Sequence, residues 1–279
     1  MTGSTFTVFR DTESTAIKAD QTTLFLDAHD VLVKITHAGL CGTDQHFRHK
    51  GIALGHEGAG VVEEIGQEVT IVEIGDRVGH DNYCDNQTCY GFGDTDVGTF
   101  ANKLPNQLEP EFAAPLMCGG ATVWSTLTTY PLKAGDRVGV LGIGGLGHMA
   151  IEFASKLGCN VVVLSHSESK KEEALKFGAK EFHVTDDNDV LKTSIKNPIP
   201  LAAATGSIYP LSVSFQPSSV PIQQLINNGI RIQGSAVGSR PSIQRMLDFV
   251  VLHIYAPLAF EVLSNGKMRY RGVLLAKDS

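Results

Sequence analysis

Val138-Gly-Val-Leu-Gly-Ile-Gly-Gly-Leu-Gly147 is an apolar run that turns through clustered glycines into helix-compatible sequence. A strand, a tight turn and a helix in that order read as the first β-α step of a parallel sheet. Gly142 permits the turn, Gly144 lets backbone approach a pyrophosphate, and Gly147 permits close packing of helix on strand. Gly145 and Leu146 then place backbone N–H groups at the helix N-terminus, where a partial positive charge favours phosphate. The strand–turn–helix setting is what lifts this glycine cluster above an ordinary turn and makes it a dinucleotide site.

Outward from that turn the pattern repeats. Strand 137–142 leads to a helix over 145–157 stopped by Gly158, and strand 160–165 to a helix over 168–177 stopped by Gly178. Shorter strands follow near 181–185, 207–213 and 230–237, with helices at 221–228 and 241–252. Alternating strands and helices predict a doubly wound α/β domain. The first hundred residues read differently. Val31-Leu-Val-Lys-Ile35 and Gly60-Val-Val-Glu-Glu-Ile65 alternate like strands, and Ile74-Gly-Asp-Arg-Val78 reads as a turn into another. This predicts a β-rich domain over 1–116, an α/β dinucleotide domain over 117–253, and a closing segment over 254–279 that ends in a strand near 268–276.

Composition narrows the function classes. The chain has 279 residues, 42% apolar and 19% charged, with 30 acidic against 23 basic side chains and a formal charge of −7. Nucleic-acid binding needs a basic face, and no Lys/Arg block supplies one. No apolar run reaches membrane-spanning length, and the N-terminus carries no basic-then-apolar export signal. Neither nucleic acid nor membrane is an expected partner. The reading is a cytoplasmic protein whose five cysteines serve metal binding or burial rather than a disulfide framework.

The end of the second strand selects the dinucleotide. An NAD site places Asp or Glu there to hold the ribose hydroxyls. This chain has Leu164-Ser-His-Ser-Glu-Ser-Lys-Lys171, with Ser165 where the acid would stand. Ser165, Ser167 and Lys170 are candidate donors to a 2′-phosphate, which favours NADP(H) over NAD(H). Glu168 opposes that reading.

Upstream lie Cys41-Gly-Thr-Asp-Gln-His46, Gly55-His56-Glu57-Gly58 and Leu116-Met-Cys-Gly-Gly120. Cys41, His56 and Cys118 offer thiolate, imidazole and thiolate, the three-ligand set of a catalytic zinc that keeps one position open. Each residue alone also reads as core. Their glycine-rich, polar settings point to a site.

Taken together these motifs resemble the zinc-containing medium-chain alcohol dehydrogenases, in particular the cinnamyl-alcohol-dehydrogenase-like, NADP-preferring branch. The resemblance implies a GroES-like catalytic domain, a Rossmann domain, and a chain that returns to the first domain at its end. It implies that Cys41, His56 and Cys118 hold catalytic Zn2+ and that Glu57 is a carboxylate able to approach it. It implies that Asp44 orients the histidine ligand and that Thr43 hydrogen-bonds the reacting oxygen. The same resemblance makes His46 the outer member of a proton relay running from Thr43 through the cofactor ribose, and has Thr122 line the nicotinamide pocket. The implied reaction is hydride transfer between NADP(H) and a small primary alcohol or aldehyde, in a homodimer joined near Arg231-Ile-Gln-Gly-Ser-Ala-Val237.

The chain departs from that pattern in places. The family's four-cysteine structural zinc lobe is reduced to Cys84, with Cys89 beyond it, and two thiols cannot close a tetrahedral site. No structural zinc is expected. Ala101-Asn-Lys-Leu-Pro105 skips a strand. In Pro198-Ile-Pro-Leu-Ala-Ala-Ala-Thr-Gly-Ser207 only two residues would separate a strand over 199–204 from the next, whereas a parallel crossover takes a dozen or more. These gaps keep two alternatives open: a catalytically impaired paralogue or splice variant that still binds dinucleotide, and a zinc-free quinone-reductase-like enzyme.

Overall fold

The computed structural model describes residues 3–11, 16–48, 50–81, 84–85, 88–89, 101–185, 202–212, 217, 219–254 and 273–275. The chain divides into two compact units, Met1–Ala121 with Val237–Ser279, and Thr122–Ala236.

The first unit begins with an antiparallel hairpin of β1 (Ser4–Asp11) and β2 (Ile17–Leu24). Its main sheet contains β3 (Val31–Gly39), β4 (Glu57–Ile65), β5 (Arg77–Asp81), β8 (Asn102–Lys103) and β14 (Val273–Leu275). These pair antiparallel in the order β14-β3-β4-β5-β8. Val62 of β4, Val78 of β5, Val69 and Val72 from the segment between them, and Ala101 before β8 form a buried cluster, with Val31 and Val33 of β3, Ile65 and Ile71 packed against it. The turn before β5 closes as read, with the Asp76 carboxylate accepting the Glu73 N–H at 2.9 Å and Gly75 at φ +92°. Between β5 and β8 lies a small hairpin, β6 (Cys84–Asp85) with β7 (Thr88–Cys89), that sets Cys84 opposite Cys89 in register. Helix α1 (Gly42–His46) sits between β3 and β4. Helix α2 (Pro110–Pro115), opened by a proline, packs on β3, β4 and β5 and runs into a π-helical turn over Leu116–Gly120.

The pairing of β14 with β3 returns the end of the chain to the first sheet, as expected. The rest of the predicted closing strand, 268–272 and 276, lies outside the described residues.

In the second unit, helix α3 (Ala121–Thr129) precedes β9 (Arg137–Leu141), α4 (Gly145–Lys156), β10 (Asn160–Ser165), α5 (Lys171–Lys176) and β11 (Glu181–Val184). A 3-10 turn over Glu168–Lys170 opens α5. The strands are parallel in the order β11-β10-β9. Central β10 is buried almost throughout, which is why its sequence is an unbroken apolar run rather than an alternating one. Gly158 and Gly178 follow their helices at φ +87° and +105°, left-handed residues that end each helix where the sequence placed the stops. Trp124 packs edge-on to Phe153 at 5.8 Å between ring centroids.

Beyond residue 201 the pattern thins. β12 (Ser207–Ile208) pairs parallel with β13 (Arg231–Ile232), and helix α6 (Ile222–Asn228) connects them. Both strands are far shorter than predicted. Pro210, with no N–H to give a ladder, follows β12 within two residues, and Gly234 follows β13. Residues 202–204 form no strand, and 199–201 lie outside the described residues. Among the described residues, no strand pairing joins β12 and β13 to β9, β10 and β11.

Helix α7 (Arg240–His253) belongs with the first unit, whereas the sequence placed residues up to 253 in the dinucleotide domain. The reason is contact. Met246 and Leu247 are fully buried, α7 packs on β8, and the Met246 sulfur lies so near Gly120 that a Cβ there would crowd it. Met117 likewise covers Gly79 of β5, which holds residues 117–121 in the first unit.

Burial pushes the Glu152 carboxyl on α4 up to about 7, and Lys156 one turn on pulls it only partly back. The folded chain therefore holds a proton that the unfolded chain releases, and stability falls as pH rises from about 4.5 through about 7. Glu152→Gln is expected to have no effect near pH 4.5 and to stabilise the fold above pH 7 by up to about 3 kcal/mol. Denaturant unfolding of both proteins at several pH values measures this.

Candidate metal and dinucleotide sites

All the metal-ligand candidates lie in the first unit. Cys41 ends the stretch after β3 and caps α1 with extended backbone, φ −115° and ψ 154°. His56 and Glu57 stand at the start of β4, 2% and 0% exposed. Cys118 is carried by the π-helical turn, a distortion that often marks functional positions in helices. One donor atom from each of Cys41, His56, Glu57 and Cys118 lies within 4.8 Å of all the others. Residues 77 positions apart in sequence (41 to 118) thus converge on one point.

Asp44 organises this cluster. Its Oδ2 accepts the Cys41 N–H at 2.8 Å, and its Oδ1 accepts from Gly55 N at 3.2 Å and meets His56 Nδ1 at 3.0 Å. A carboxylate on Nδ1 selects the tautomer with the proton there, which leaves the Nε2 lone pair for a cation. Glu57 Oε1 accepts the Gly119 N–H at 3.3 Å, tying β4 to the turn that carries Cys118. The Cys41 thiol is held far below its ordinary value, first by the hydrogen bond with Cys118. Burial opposes that shift, and His56 and Thr43 add to it. A thiol biased toward its anion, a second thiol and a buried imidazole are together a donor set that fits zinc.

Glycines make the room. A Cβ on Gly39 would strike the Glu57 carboxylate, one on Gly58 would strike the His80 imidazole, and one on Gly79 would strike Met117. No sequence motif marks His80. Burial, with His56 adding repulsion, pushes its imidazole down to about 4. Thr43 Oγ1 lies 3.6 Å from Cys41 Sγ, and His46 stands exposed at the end of α1.

In the second unit Gly142 takes φ +85°, and its N–H donates to the Leu164 carbonyl at 2.8 Å. Gly144 caps α4 with open space where a Cβ would be, so a ligand can approach its backbone. A Cβ on Gly147 would run into the Gly142 carbonyl. That glycine is therefore required by contact of the helix with the turn itself, more than with the strand. Gly145 and Leu146 form the first turn of α4.

Of the expected 2′-phosphate donors, Ser165 is 5% exposed, and its carbonyl accepts from the Thr185 N–H and hydroxyl. Ser167 and Lys170 are accessible. Lys170 Nζ donates to the Ile143 carbonyl at 2.7 Å, which sets its charge beside the glycine turn. Ser167 Oγ lies 2.9 Å from Ser169 Oγ. Glu168 pairs with Lys171 at 3.3 Å, so its charge is partly offset. Thr122, in the first turn of α3, is buried, and its carbonyl accepts the Thr126 hydroxyl.

Residues 27–109 match the family described as alcohol dehydrogenase GroES-like domain, and residues 145–198 match that described as zinc-binding dehydrogenase. The chain is 31% identical to a probable formaldehyde dehydrogenase, AdhA, of Bacillus subtilis (strain 168), over 92% of this chain and 94% of that one. It belongs to the zinc-containing medium-chain alcohol dehydrogenases, on the cinnamyl-alcohol-dehydrogenase-like side. An NADP-dependent alcohol dehydrogenase C 1 of Mycolicibacterium smegmatis (strain ATCC 700084 / mc(2)155) is 31% identical over 88% of this chain and 90% of that one. The solved cinnamyl alcohol dehydrogenase SbCAD4 of Sorghum bicolor superposes with a TM-score of 0.81 at 27% identity, covering 99% of this chain and 100% of that one.

This alcohol dehydrogenase is shorter than its relatives. The alignment with the Bacillus protein runs over 327 positions against a chain of 279 residues, so the relative carries internal residues absent here. Among the described residues, no helix is long and apolar enough to cross a membrane.

Proposed function

We propose that this chain catalyses reversible hydride transfer between NADP(H) and a primary alcohol or aldehyde, with an aromatic or allylic substrate the best fit to its branch of the family. One observation carries the reading: two thiols, an imidazole and a carboxylate place their donor atoms within 4.8 Å of one another. Cys41, His56 through Nε2, and Cys118 would hold Zn2+, with Glu57 within reach of the same point. When bound, zinc supplies Lewis-acid polarisation of the substrate oxygen, and the nicotinamide supplies or accepts the hydride.

The protein's own groups then have defined tasks. Asp44 fixes the tautomer and orientation of His56. The Thr43 hydroxyl takes or returns the proton of the reacting oxygen, and exposed His46, three residues on along α1, exchanges protons with solvent. The turn from Gly142 to Gly147 receives the pyrophosphate at the N-terminus of α4, and Thr122 lines the nicotinamide pocket.

NADP(H) is favoured because Ser165 replaces the ribose-binding acid, while Ser167 and Lys170 offer donors nearby. The NADP dependence named for the Mycolicibacterium relative supports the same choice. A homodimer is proposed through the region 231–237. There Ile232 is 41% exposed, and Ile222 and Ile226 of neighbouring α6 are exposed one helical turn apart.

Native mass spectrometry of the purified full-length protein, followed by an NADPH-oxidation assay with cinnamaldehyde, tests the proposal. The expected result is one zinc per chain, a dimer, and turnover with NADPH faster than with NADH. A metal-free chain that still oxidises NADPH would overturn the mechanism in favour of a zinc-free reductase. Zinc and NADPH binding without turnover of any alcohol or aldehyde would mark an impaired paralogue.

A further inference from the structure

The loop from Phe47 to Gly55 leads from α1 to His56, and its described residues form no helix or strand that would fix its path. Gly51 and Gly55 in it take φ +69° and +100°, with nothing near where a Cβ would be. Such a segment has more backbone freedom than almost any other, so something outside it must hold it. Strand β1 does so at several points. The Phe9 carbonyl accepts the Leu54 N–H at 2.8 Å, Arg10 and Ala53 are antiparallel bridge partners, and Arg10 Nη1 donates to the Gly51 carbonyl at 2.8 Å. At the other end of the loop, Arg48 Nε donates to Asp11 Oδ2 at 2.8 Å. The Asp11 side chain is 1% exposed and that of Arg48 29%.

A carboxylate so deeply buried is retained only where it is paired, and a guanidinium holds it through a directional N–H rather than as a point charge. The loop held in this way delivers Leu54, then Gly55, whose N–H donates to Asp44, then His56, whose Nδ1 meets the same carboxylate. A shift in the loop would move one arm of the Asp44 network and rotate the imidazole.

We propose that Asp11 and Arg48 are positioning residues for the metal centre: the ion pair of buried Asp11 with half-buried Arg48 sets the path of loop 47–55 and, through Gly55 and Asp44, the orientation of His56. This rests on the reading that Cys41, His56 and Cys118 hold zinc. The first hairpin then acts as a brace for the site as well as an edge of the fold.

The test uses the zinc-loaded full-length protein and its cobalt(II)-substituted form. Asp11→Asn, Arg48→Gln and the double variant are compared with Lys103→Gln. That control breaks the Lys103–Asp76 ion pair of 2.7 Å at the far end of β5 from His80. Zinc transfer to a chromogenic chelator is expected to quicken about tenfold in Asp11→Asn and Arg48→Gln, the lower range for outer partners of metal ligands. The double variant should release zinc no faster than the worse single one, because both remove the same brace. The visible bands of the cobalt form should move in these variants and stay in place in Lys103→Gln, whatever that change does to thermal stability. If Asp11→Asn does not fold, Arg48→Lys, which keeps the charge and loses the Nε donor, carries the test with a smaller change of the same sign. Release rates and cobalt spectra like those of the unmodified chain, or equal loss in Lys103→Gln, would overturn the inference while the zinc site stands. An unmodified chain that binds no zinc would remove the site and this inference together.

Discussion

Cys41→Ala is expected to lower kcat/KM for aldehyde reduction by at least about 10³, because polarisation by a metal is worth several kcal/mol and about 4 kcal/mol corresponds to that factor. Cys41 is one of two sulfurs among the four donors grouped within 4.8 Å. Its thiol is strongly biased toward its anion, chiefly by Cys118. Removing it leaves Cys118, His56 and the Glu57 carboxylate, a poorer set for zinc. No residue of the Gly142–Gly147 turn is among these donors, so NADPH affinity is expected to stay within about twofold. Steady-state kinetics and NADPH fluorescence titration separate the two effects. Retained turnover would remove Cys41 from the mechanism.

Asp44→Ala should produce the second-largest effect. One carboxylate serves the Cys41 N–H, the Gly55 N–H and His56 Nδ1, so its loss strips three partners at once. Zinc affinity is expected to fall about 10- to 100-fold, the range for partners that orient a metal-bound imidazole. Hydrogen bonds to a charged group are worth about 1.5–3 kcal/mol each, and after relaxation a net loss of about 2–4 kcal/mol in stability is expected. Asp44→Asn separates these outcomes. An amide still accepts a backbone N–H, so it should recover much of the stability, but it no longer offers His56 Nδ1 a charged acceptor and should recover little of the zinc affinity. Chelator competition and thermal unfolding read the two quantities.

The parts of the fold legible in sequence were those written in local pattern. The unbroken apolar run of β10, the glycines ending α4 and α5, and the strand–turn–helix at Gly142 each depend on a few adjacent residues, and each stands where the sequence put it. Cys41, His56 and Cys118, whose donor atoms the fold brings together, were legible as candidates because glycine-rich settings mark loops built for close approach. The β1–β2 hairpin was not. Strand β1 does alternate between half-buried and exposed positions, but its partner β2 is exposed almost throughout, so no second apolar pattern marks a hairpin. Asp11 and Arg48 sit 37 residues apart, and their pairing has no signature in either segment.

The lower half of the α/β domain shows a different limit. Periodicity predicted strands of seven or eight residues at 207–213 and 230–237, and among the described residues two of each form. A strand needs a neighbour as well as a pattern, and Pro210 removes a donor where β12 would continue. The same sequence had already signalled trouble, since two residues between 204 and 207 cannot make a crossover. The assignment of α7 erred because an amphipathic helix does not announce which core it serves. The burial of Met246 against Gly120 decides it.

The central claim is that two sulfurs and one imidazole hold a single zinc ion, and X-ray absorption at the zinc edge of the purified protein tests it most directly. The expected spectrum shows two sulfur scatterers at about 2.3 Å and nitrogen or oxygen scatterers, one of them an imidazole, at about 2.0–2.1 Å. In Cys118→Ser one sulfur should be lost from the shell. A shell containing only nitrogen and oxygen, or one unchanged by that substitution, would contradict it.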